Sequence, residues 1–202
     1  AWNPDPSRWG AARTYSDLHI PGSGDDAVLH NTAGAIAIVE SMDADLPVCK
    51  NAVREGLANT ELFGRIQVLS GGIEQIFDVA HNPAAIANLA AFIDKRHPVR
   101  RNLAVFSMLK DKDLAEVVRL MGSRIASWHL TQLDGSRATP LQDLADVVSN
   151  HSNSDIKMWP NPLHAYKMAM QLAHPGDRVV VFGSFYLVGA ILKSVSGHPL
   201  QA

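Results

Sequence analysis

The stretch FDVAHNP, Phe77 to Pro83, decides the fold of this chain, because a buried strand ends there and a helix begins. Upstream, the run IEQIFDVA from Ile73 is apolar and rich in β-branched residues, which is typical of a strand buried in a sheet. Downstream, Pro83 suits the first turn of a helix, where its missing N–H costs no hydrogen bond. Asp78, His81 and Asn82 therefore lie at the carboxyl end of a strand, where ligands bind in open α/β sheets.

Strand and helix patterns alternate from residue 64 onward. The predicted elements are a hairpin of strands 66–70 and 73–80, helices 83–95, 111–121, 140–150, 161–173 and 185–195, and strands 102–108, 124–130, 156–158 and 178–183. Such alternation is the signature of a mostly parallel sheet with helices on both of its faces. We therefore predict an α/β, Rossmann-like fold for this part of the chain.

The part before residue 64 has a different pattern. Residues 2–26 mix Pro, Gly, Ser and Asp with isolated apolar residues, which predicts short strands and loops. The run 31–42 is small and apolar enough for a buried helix, and Pro47 is expected to open a second, amphipathic helix. We place a domain boundary at Gly64, between residues 1–63 and the remainder of the chain.

Composition excludes several classes of function. Charged residues make up 19% of the chain and the formal net charge is -2, which argues against binding to nucleic acid or to an anionic membrane surface. The single cysteine, Cys49, rules out an internal disulfide and a cysteine-rich zinc site, and we expect it to be an ordinary helix residue. No apolar run approaches the roughly 20 residues that span a bilayer. These features predict a cytoplasmic protein.

Four separated motifs carry a family resemblance. Besides DVAHNP, they are Gly64 and Arg65 in FGRIQVL, the run FSMLKDKD at 106–113, and VVVFGSFYLVG at 179–189. Taken together and in this order, they resemble the C-terminal domain of the Mur ligase family, and within it the folate branch of dihydrofolate and folylpolyglutamate synthases. The resemblance covers nearly the whole chain.

The resemblance implies an ATP-dependent ligase that adds L-glutamate to dihydropteroate or to folate. In that family ATP phosphorylates a carboxylate, and the amine of glutamate attacks the acyl phosphate and displaces phosphate. Full-length members begin with an ATPase domain, whose phosphate loop G-x-x-x-x-G-K-[ST] does not occur in these 202 residues. We therefore expect residues 1–63 to be the tail of the central ATPase domain, the Mg²⁺ ligands to lie outside this chain, and the chain alone to be inactive. The full-length enzyme is expected to be a monomer.

Two residues are expected at the phosphates and ribose of ATP. By resemblance, Arg65 contacts ATP; a planar fork of donors beside a flexible glycine can close onto a γ-phosphate. Asp78 would accept hydrogen bonds from the ribose hydroxyls. The alternatives are a surface arginine that starts a strand, and a carboxylate that caps the helix from Pro83. Asn82 is expected to be a cap that fixes the turn.

The other expected site residues have alternatives as well. Asn31 matches a family asparagine that contacts adenine, or it caps the helix that follows it. His81 is placed nearest the reacting amine, as a catalytic and glutamate-binding residue, although an isolated histidine is more often structural. Ser184 would hold a carboxylate of glutamate at a helix N-terminus, or act only as a cap. Lys112 and Asp113 either line the cleft or form a solvated helix start.

Two other functions stay open at this point, and a third is excluded. A peptidoglycan ligase of the Mur family would use the same terminal fold, and a non-catalytic nucleotide-binding or docking module needs no chemistry at all. A nicotinamide-dependent oxidoreductase would need a G-x-G-x-x-G turn, which the chain lacks. The residues do not choose between dihydrofolate synthesis and polyglutamate extension.

Overall fold

The computed structural model describes residues 15–21 and 26–195, and the chain divides into two compact units between Phe63 and Gly64. The described helices of the first unit are α1 (Asp26–Ser41) and α2 (Lys50–Ala58). Residues 15–21 form no strand, and the rest of the stretch for which short strands were predicted lies largely outside the described residues.

Both helices of the first unit depart from their predictions. α1 begins five residues earlier than residue 31, so Asn31 lies inside the helix, and the idea that it caps this helix is wrong. The prediction of a buried helix is also wrong, because Ile38 is 62% exposed and most residues of the predicted run 31–42 are exposed or half-buried. α2 begins three residues after Pro47, and its N-cap is the exposed Cys49, which makes no side-chain cap hydrogen bond.

The second unit is a six-stranded sheet with five described helices. In chain order its elements are β1 (Gln67–Leu69), β2 (Glu74–Asp78), α3 (Pro83–Lys95), β3 (Asn102–Phe106), α4 (Leu114–Gly122), β4 (Ile125–Thr131), α5 (Leu141–His151), β5 (Asp155–Trp159), α6 (Pro162–Leu172), β6 (Arg178–Phe182) and α7 (Phe185–Val195). The strand order is β1-β2-β6-β3-β4-β5, and every neighbouring pair is parallel except β1 with β2. The predicted α/β fold with a mostly parallel sheet is confirmed.

Helices cover the sheet on both faces. On one face, α3, α4 and α5 pack on apolar side chains of the strands that include Ile76, Phe106 and Trp128. On the other face, α6 and α7 pack on a second set that includes Phe77, Val105 and Val181. The central strands β3 and β6 are buried along their whole length, as expected for strands with helices on both sides.

Small differences in element boundaries have local causes. The helix predicted from residue 111 begins at Leu114, because the Asp113 carboxylate accepts a hydrogen bond from the Glu116 N–H at 3.1 Å and caps α4. The predicted hairpin is present, although its first strand, β1, is only three residues long. Within the described ranges no helix is long and apolar enough to cross a membrane.

Candidate functional site

The carboxyl ends of three central strands meet at one edge of the sheet, and backbone hydrogen bonds tie the segments there together. The Val79 N–H donates to the Gly64 carbonyl at 2.7 Å, which joins the end of β2 to the segment before β1. The Gly183 N–H donates to the Ala80 carbonyl at 2.9 Å, which joins the end of β6 to the same place. Three of the four sequence motifs therefore meet at this edge.

Asp78 connects two of these motifs through its carboxylate. One oxygen, Oδ1, accepts a hydrogen bond from the Ala80 N–H at 2.7 Å, and the other, Oδ2, accepts one from the Ile66 N–H at 3.1 Å. Asp78 is 9% exposed, so these bonds form in a largely buried setting. The alternative that Asp78 caps α3 is wrong, because Asn82 does so by accepting from the Ala85 N–H at 2.9 Å.

Arg65 lies in a backbone turn with an uncommon conformation. Its neighbours Gly64 and Ile66 have φ values of +65° and +46°, and a positive φ is rare for a β-branched residue. The hydrogen bond between Asp78 and the Ile66 N–H helps to hold this turn. The Arg65 side chain is exposed, and within the described part of the chain it has no hydrogen bond or ion pair, so its guanidinium can meet an anion.

His81 has a defined tautomer. Its Nδ1 atom lies 2.9 Å from the Val79 carbonyl oxygen, which can only accept, so Nδ1 carries the proton and Nε2 presents a lone pair when the ring is neutral. The His81 ring also contacts the Phe185 ring, with 5.5 Å between the ring centroids. The imidazole is thus oriented from both sides and can accept a proton at Nε2.

Ser184 occupies the N-terminus of α7. Its Oγ accepts a hydrogen bond from the Tyr186 N–H at 3.2 Å, so the capping role considered from the sequence is present. The Oγ–H remains able to donate. A helix N-terminus attracts an anion because its first N–H groups lack partners within the helix. The capping role and an anion-binding role are therefore compatible.

A cavity of about 330 Å³ has His81 and Ser184 in its lining, whereas Arg65 and Asp78 do not line it. Its lining residues are His81, Leu109, Lys112, Arg137, Gly183, Ser184, Phe185 and Tyr186. This volume falls at the lower end of the range, about 300–1,000 Å³, that is usual for small-molecule sites. Two aromatic side chains at its mouth, Phe185 and Tyr186, are 52% and 66% exposed. The cavity thus combines two cations, a helix N-terminus, an imidazole and an apolar rim.

The two cations of the cavity are held by one carboxylate. The Arg137 Nη2 atom lies 3.1 and 3.0 Å from the two oxygens of Asp111, and the Lys112 Nζ lies 3.4 Å from Asp111 Oδ2. Hydrogen bonding from Arg137 lowers the pKa of Asp111, so this carboxylate stays charged at neutral pH. An isolated bridge between Leu109 and Ala138 joins the loops that carry these groups.

Arg137 is a residue that the sequence analysis missed. It lies in GSRATP, residues 135–140, in the loop after β4. Because parallel strands end at the same edge of a sheet, loops after β3, β4 and β6 were all candidates to supply ligand-binding groups. The positive charge of Arg137 in this loop was the signal that could have identified it. Of the charge run considered from the sequence, Lys112 lines the cavity, whereas Asp113 caps α4.

The remaining predicted residue, Asn31, belongs to the first unit. It lies on α1 with an exposed side chain, and its contact with adenine stays a prediction. Among the described residues, no group of three His, Cys, Asp or Glu side chains could hold a metal ion. The part of the chain that is described therefore offers no fitting set of Mg²⁺ ligands, and we assign it no step that involves the metal.

Comparisons with known proteins give a consistent result. The model of the Mur ligase, glutamate ligase domain, matches residues 64–185. The dihydrofolate synthase/folylpolyglutamate synthase of Escherichia coli K12 is 33% identical over 168 residues, which cover 83% of this chain and 38% of that protein. A solved structure of a bifunctional folylpolyglutamate synthase/dihydrofolate synthase with Mn, AMPPNP and L-glutamate bound is 29% identical, with a TM-score of 0.73, over 92% of this chain and 43% of that one.

A third relative is more distant in sequence and similar in structure. The Mycobacterium tuberculosis folylpolyglutamate synthase, solved with ADP and AMPPCP, is 25% identical with a TM-score of 0.76, over 93% of this chain and 42% of that one. The chain thus spans about two fifths of the length of these relatives.

Proposed function

This chain belongs to the Mur ligase family through its glutamate ligase domain, and from this we propose that it is the glutamate-receiving part of an ATP-dependent ligase of the folate branch. The reaction would join L-glutamate to dihydropteroate, to a folate polyglutamate, or to both. The curated relatives, which are folate enzymes, support this branch over the peptidoglycan branch. A cytoplasmic location and a monomeric full-length enzyme are part of the same proposal.

The observation that carries the proposal is the charge of the 330 Å³ cavity. L-Glutamate has two carboxylates and one ammonium group. Lys112 and Arg137 offer a cationic wall for one carboxylate, and Ser184 with the N-terminus of α7 offers neutral donors for the other. An arginine can hold a carboxylate with two parallel hydrogen bonds, which fixes the orientation of the ligand as well as its position.

His81 is placed to assist the amine. An ammonium group must lose a proton before its nitrogen can act as a nucleophile, and the lone pair on His81 Nε2 is available to take that proton. Because the Val79 carbonyl holds the proton on Nδ1, the ring keeps this orientation throughout. The role of His81 in this proposal is therefore to orient the amine and to accept its proton.

Arg65 and Asp78 form the nucleotide side of the proposal. ATP, when bound, supplies the phosphoryl group that activates the acceptor carboxylate. The exposed Arg65 guanidinium can hold a phosphate oxygen, and the Asp78 carboxylate holds the turn that presents this arginine. The contact of the Asp78 carboxylate with the ribose hydroxyls is assigned on the family resemblance. Asn31 on α1 is assigned to adenine on the family resemblance alone.

Calorimetric titration of the 202-residue chain with L-glutamate tests the proposal. We expect saturable binding that is tighter than binding of L-alanine, which lacks the side-chain carboxylate. Arg137→Gln should weaken the binding of L-glutamate about tenfold or more, since a hydrogen bond to a charged group contributes about 1.5–3 kcal/mol.

The chain offers a matched control for this variant. Arg119 on α4 pairs with Glu116 through two hydrogen bonds, much as Arg137 pairs with Asp111, but it does not line the cavity. Arg119→Gln should leave the affinity unchanged. Equal affinity for L-alanine and L-glutamate, or equal effects of the two arginine variants, would favour a non-catalytic docking module instead.

A further inference from the structure

A second cavity, of about 280 Å³, lies at the opposite edge of the sheet, where the strands begin. Its lining residues are Arg101, Leu103, Ala126, Ser127, His129, Asp155, Lys157, Leu172 and His174. None of them lines the cavity at the carboxyl edge. The second cavity therefore needs its own explanation.

The sheet face beneath this cavity changes from apolar to polar along the strand order. On β6 and β3 the residues of this face are apolar, and they form the core against α6 and α7 together with Phe77 of β2. The polar residue of β2 on this face, Gln75, accepts a hydrogen bond from the Tyr166 hydroxyl of α6. On β4 and β5 the same face carries Ser127, His129, Asp155 and Lys157, paired in register as Ser127 with Asp155 and His129 with Lys157. Burying polar groups under a helix is unfavourable unless they find hydrogen-bond partners.

An irregularity in β4 sets the direction of these side chains. Asn102 pairs with Ile125, but the next residue, Leu103, pairs with Ser127, so Ala126 is an extra residue in β4. Such a bulge re-aims the side chains that follow it. Here it places Ser127 beside Leu103 and in the same row as Asp155.

Two buried polar atoms of the cavity lack partners among the described residues. Ser127 is 5% exposed and His129 is fully buried, and neither Ser127 Oγ nor His129 Nε2 has a hydrogen bond. Burying such a group without a hydrogen-bond partner is unfavourable for folding. Both residues line the cavity, so a molecule inside it can supply what they lack.

The tautomer of His129 identifies what that molecule must offer. The Trp159 indole N–H donates to His129 Nδ1 at 3.1 Å, so the imidazole proton is on Nε2. Burial foremost, and then the charge of Lys157, lowers the pKa of His129 to about 4, so the ring is neutral at pH 7. A neutral Nε2–H is a donor and cannot ligate a metal ion. The occupant must therefore carry an acceptor.

The charged groups around the cavity favour an anion as that acceptor. Arg101 and Lys157 are two cations in the lining, and one carboxylate, Asp155, contacts Lys157 with a side chain that is 61% exposed. Arg101 also bonds to the carboxylate of Asp177, with 2.9 Å between Nε and Oδ2. Ser127 and His129 are two residues apart on β4, about 7 Å along the strand, which one oxyanion can bridge with hydrogen bonds of about 2.8 Å on each side.

We propose that this cavity binds a small oxyanion, a phosphate or a carboxylate, which accepts hydrogen bonds from Ser127 Oγ and His129 Nε2 and is balanced by Lys157 and Arg101. The oxyanion satisfies both unpartnered donors in a single step. Since the cavity lies at the opposite edge of the sheet from the proposed glutamate site, it is a separate binding site of the same domain.

Nuclear magnetic resonance of the ¹⁵N-labelled chain tests this site residue by residue. Inorganic phosphate is added at about pH 7 with the ionic strength held constant by sodium chloride. The His129 Nε2–H signal and the backbone amides of Ser127 and Lys157 should shift saturably, with a Kd of about 1 mM or below. The amides of Gly183 and Ser184 report the other cavity in the same spectra, so the two sites are judged separately. A parallel titration with acetate tells a phosphate site from a carboxylate site.

Three variants sharpen the test without removing the buried imidazole. Ser127→Ala should weaken binding about fivefold to tenfold. Ser107→Ala is its matched control, because the Ser107 hydroxyl is also buried and without a partner among the described residues, but Ser107 lies after β3, outside this cavity. Asp155→Asn should tighten binding several-fold, because it removes the competing negative charge and frees Lys157. Neither Ser127 nor Asp155 contributes apolar packing to the core.

The possible outcomes separate cleanly. An oxyanion site is supported by saturable shifts whose affinity falls in Ser127→Ala and rises in Asp155→Asn, whichever of the two anions binds more tightly. The absence of a saturable shift for either anion overturns the proposal and leaves water as the partner of both groups. An unchanged affinity in both variants overturns it as well.

Discussion

Glu74→Gln should lower the free energy of unfolding by about 3–5 kcal/mol, since it breaks a buried ion pair by removing one partner. The Glu74 carboxylate accepts hydrogen bonds from the guanidinium groups of Arg178 and Arg96. Arg178 is only 1% exposed and has two further partners, Asn102 Oδ1 at 3.3 Å and the His97 carbonyl at 3.1 Å. Without the carboxylate, the charge of Arg178 is buried and uncompensated.

The position of this ion pair in the sheet increases its importance. Glu74, Arg178 and Asn102 are paired in register on β2, β6 and β3. They therefore form one row across the first residues of three adjacent strands. Loss of the central charge pair disturbs the start of all three strands at once, and the destabilisation should be measured as a lower midpoint of urea unfolding.

The contribution of Glu74 also has a definite pH dependence. Burial works to raise the pKa of Glu74, but hydrogen bonds from Arg96 and Arg178 outweigh it, so the pKa lies below its ordinary value of 4.5. A carboxyl whose pKa is lowered in the folded state adds stability above its unfolded pKa and loses it as the pH falls through its folded pKa. The difference in stability between wild type and Glu74→Gln should be full at pH 7 and should shrink in acid.

An exposed ion pair serves as the control. Glu116 pairs with Arg119 three residues later on α4, and 63% of the Arg119 side chain is exposed. Glu116→Gln should therefore lower the free energy of unfolding far less than Glu74→Gln does. If the two glutamate variants lose similar stability, or if the effect of Glu74→Gln does not decline in acid, the buried row is not the stabilising feature inferred from the structure.

Much of the fold could be predicted from the sequence, because strands and helix starts are indicated by short local patterns. The central strands β3 and β6 are short, largely apolar runs, and two helix starts are marked by Asn82 before Pro83 and Asn161 before Pro162, where the asparagine side chain caps the helix. The strand order was not readable, because β6, the last strand, pairs between β2 and β3 through contacts distant in sequence. The extra residue Ala126 in β4 gave no local sign either.

Part of the candidate site could also be predicted from the sequence. His81 and Ser184 were singled out because they lie in two of the motifs that carry the family resemblance, DVAHNP and VVVFGSFYLVG. Arg137 was missed because it follows a strand within a loop whose turn residues resemble any surface loop. The hydrogen bond from the Ile66 N–H to the Asp78 carboxylate could not be predicted, since it depends on the positive φ of Ile66, which no residue preference indicates.

Gly183→Ala should lower the free energy of unfolding by about 2–5 kcal/mol, because a methyl group at this position has no room and the backbone is in a glycine conformation. Gly183 has a φ of +109° and directly follows β6 beside the candidate site. An added Cβ would lie 2.5 Å from the Ser107 carbonyl oxygen and 2.6 Å from the Phe106 ring. The contact from Ser107 is a backbone carbonyl oxygen and the Phe106 side chain is fully buried, so neither can move without a cost in stability.

Gly176→Ala separates the two causes of this loss. Gly176 has a φ of +87°, but among the described residues no atom lies within 4 Å of a Cβ added there. Gly176→Ala should therefore lower the free energy of unfolding only by the cost of the backbone conformation, about 1–2 kcal/mol, as measured by urea unfolding. Equal losses in the two alanine variants would show that the contact with Ser107 and Phe106 relaxes without cost.

The same pair of variants also connects stability to function. The Gly183 N–H holds the Ala80 carbonyl, and Ser184 comes next in the chain, so displacement at Gly183 moves both the His81 segment and the N-terminus of α7. Gly183→Ala should therefore weaken L-glutamate binding under conditions where the variant is still folded, whereas Gly176→Ala should not. Retained affinity in folded Gly183→Ala would mean that the cavity tolerates displacement of this edge, against the close packing on which the proposed glutamate site depends.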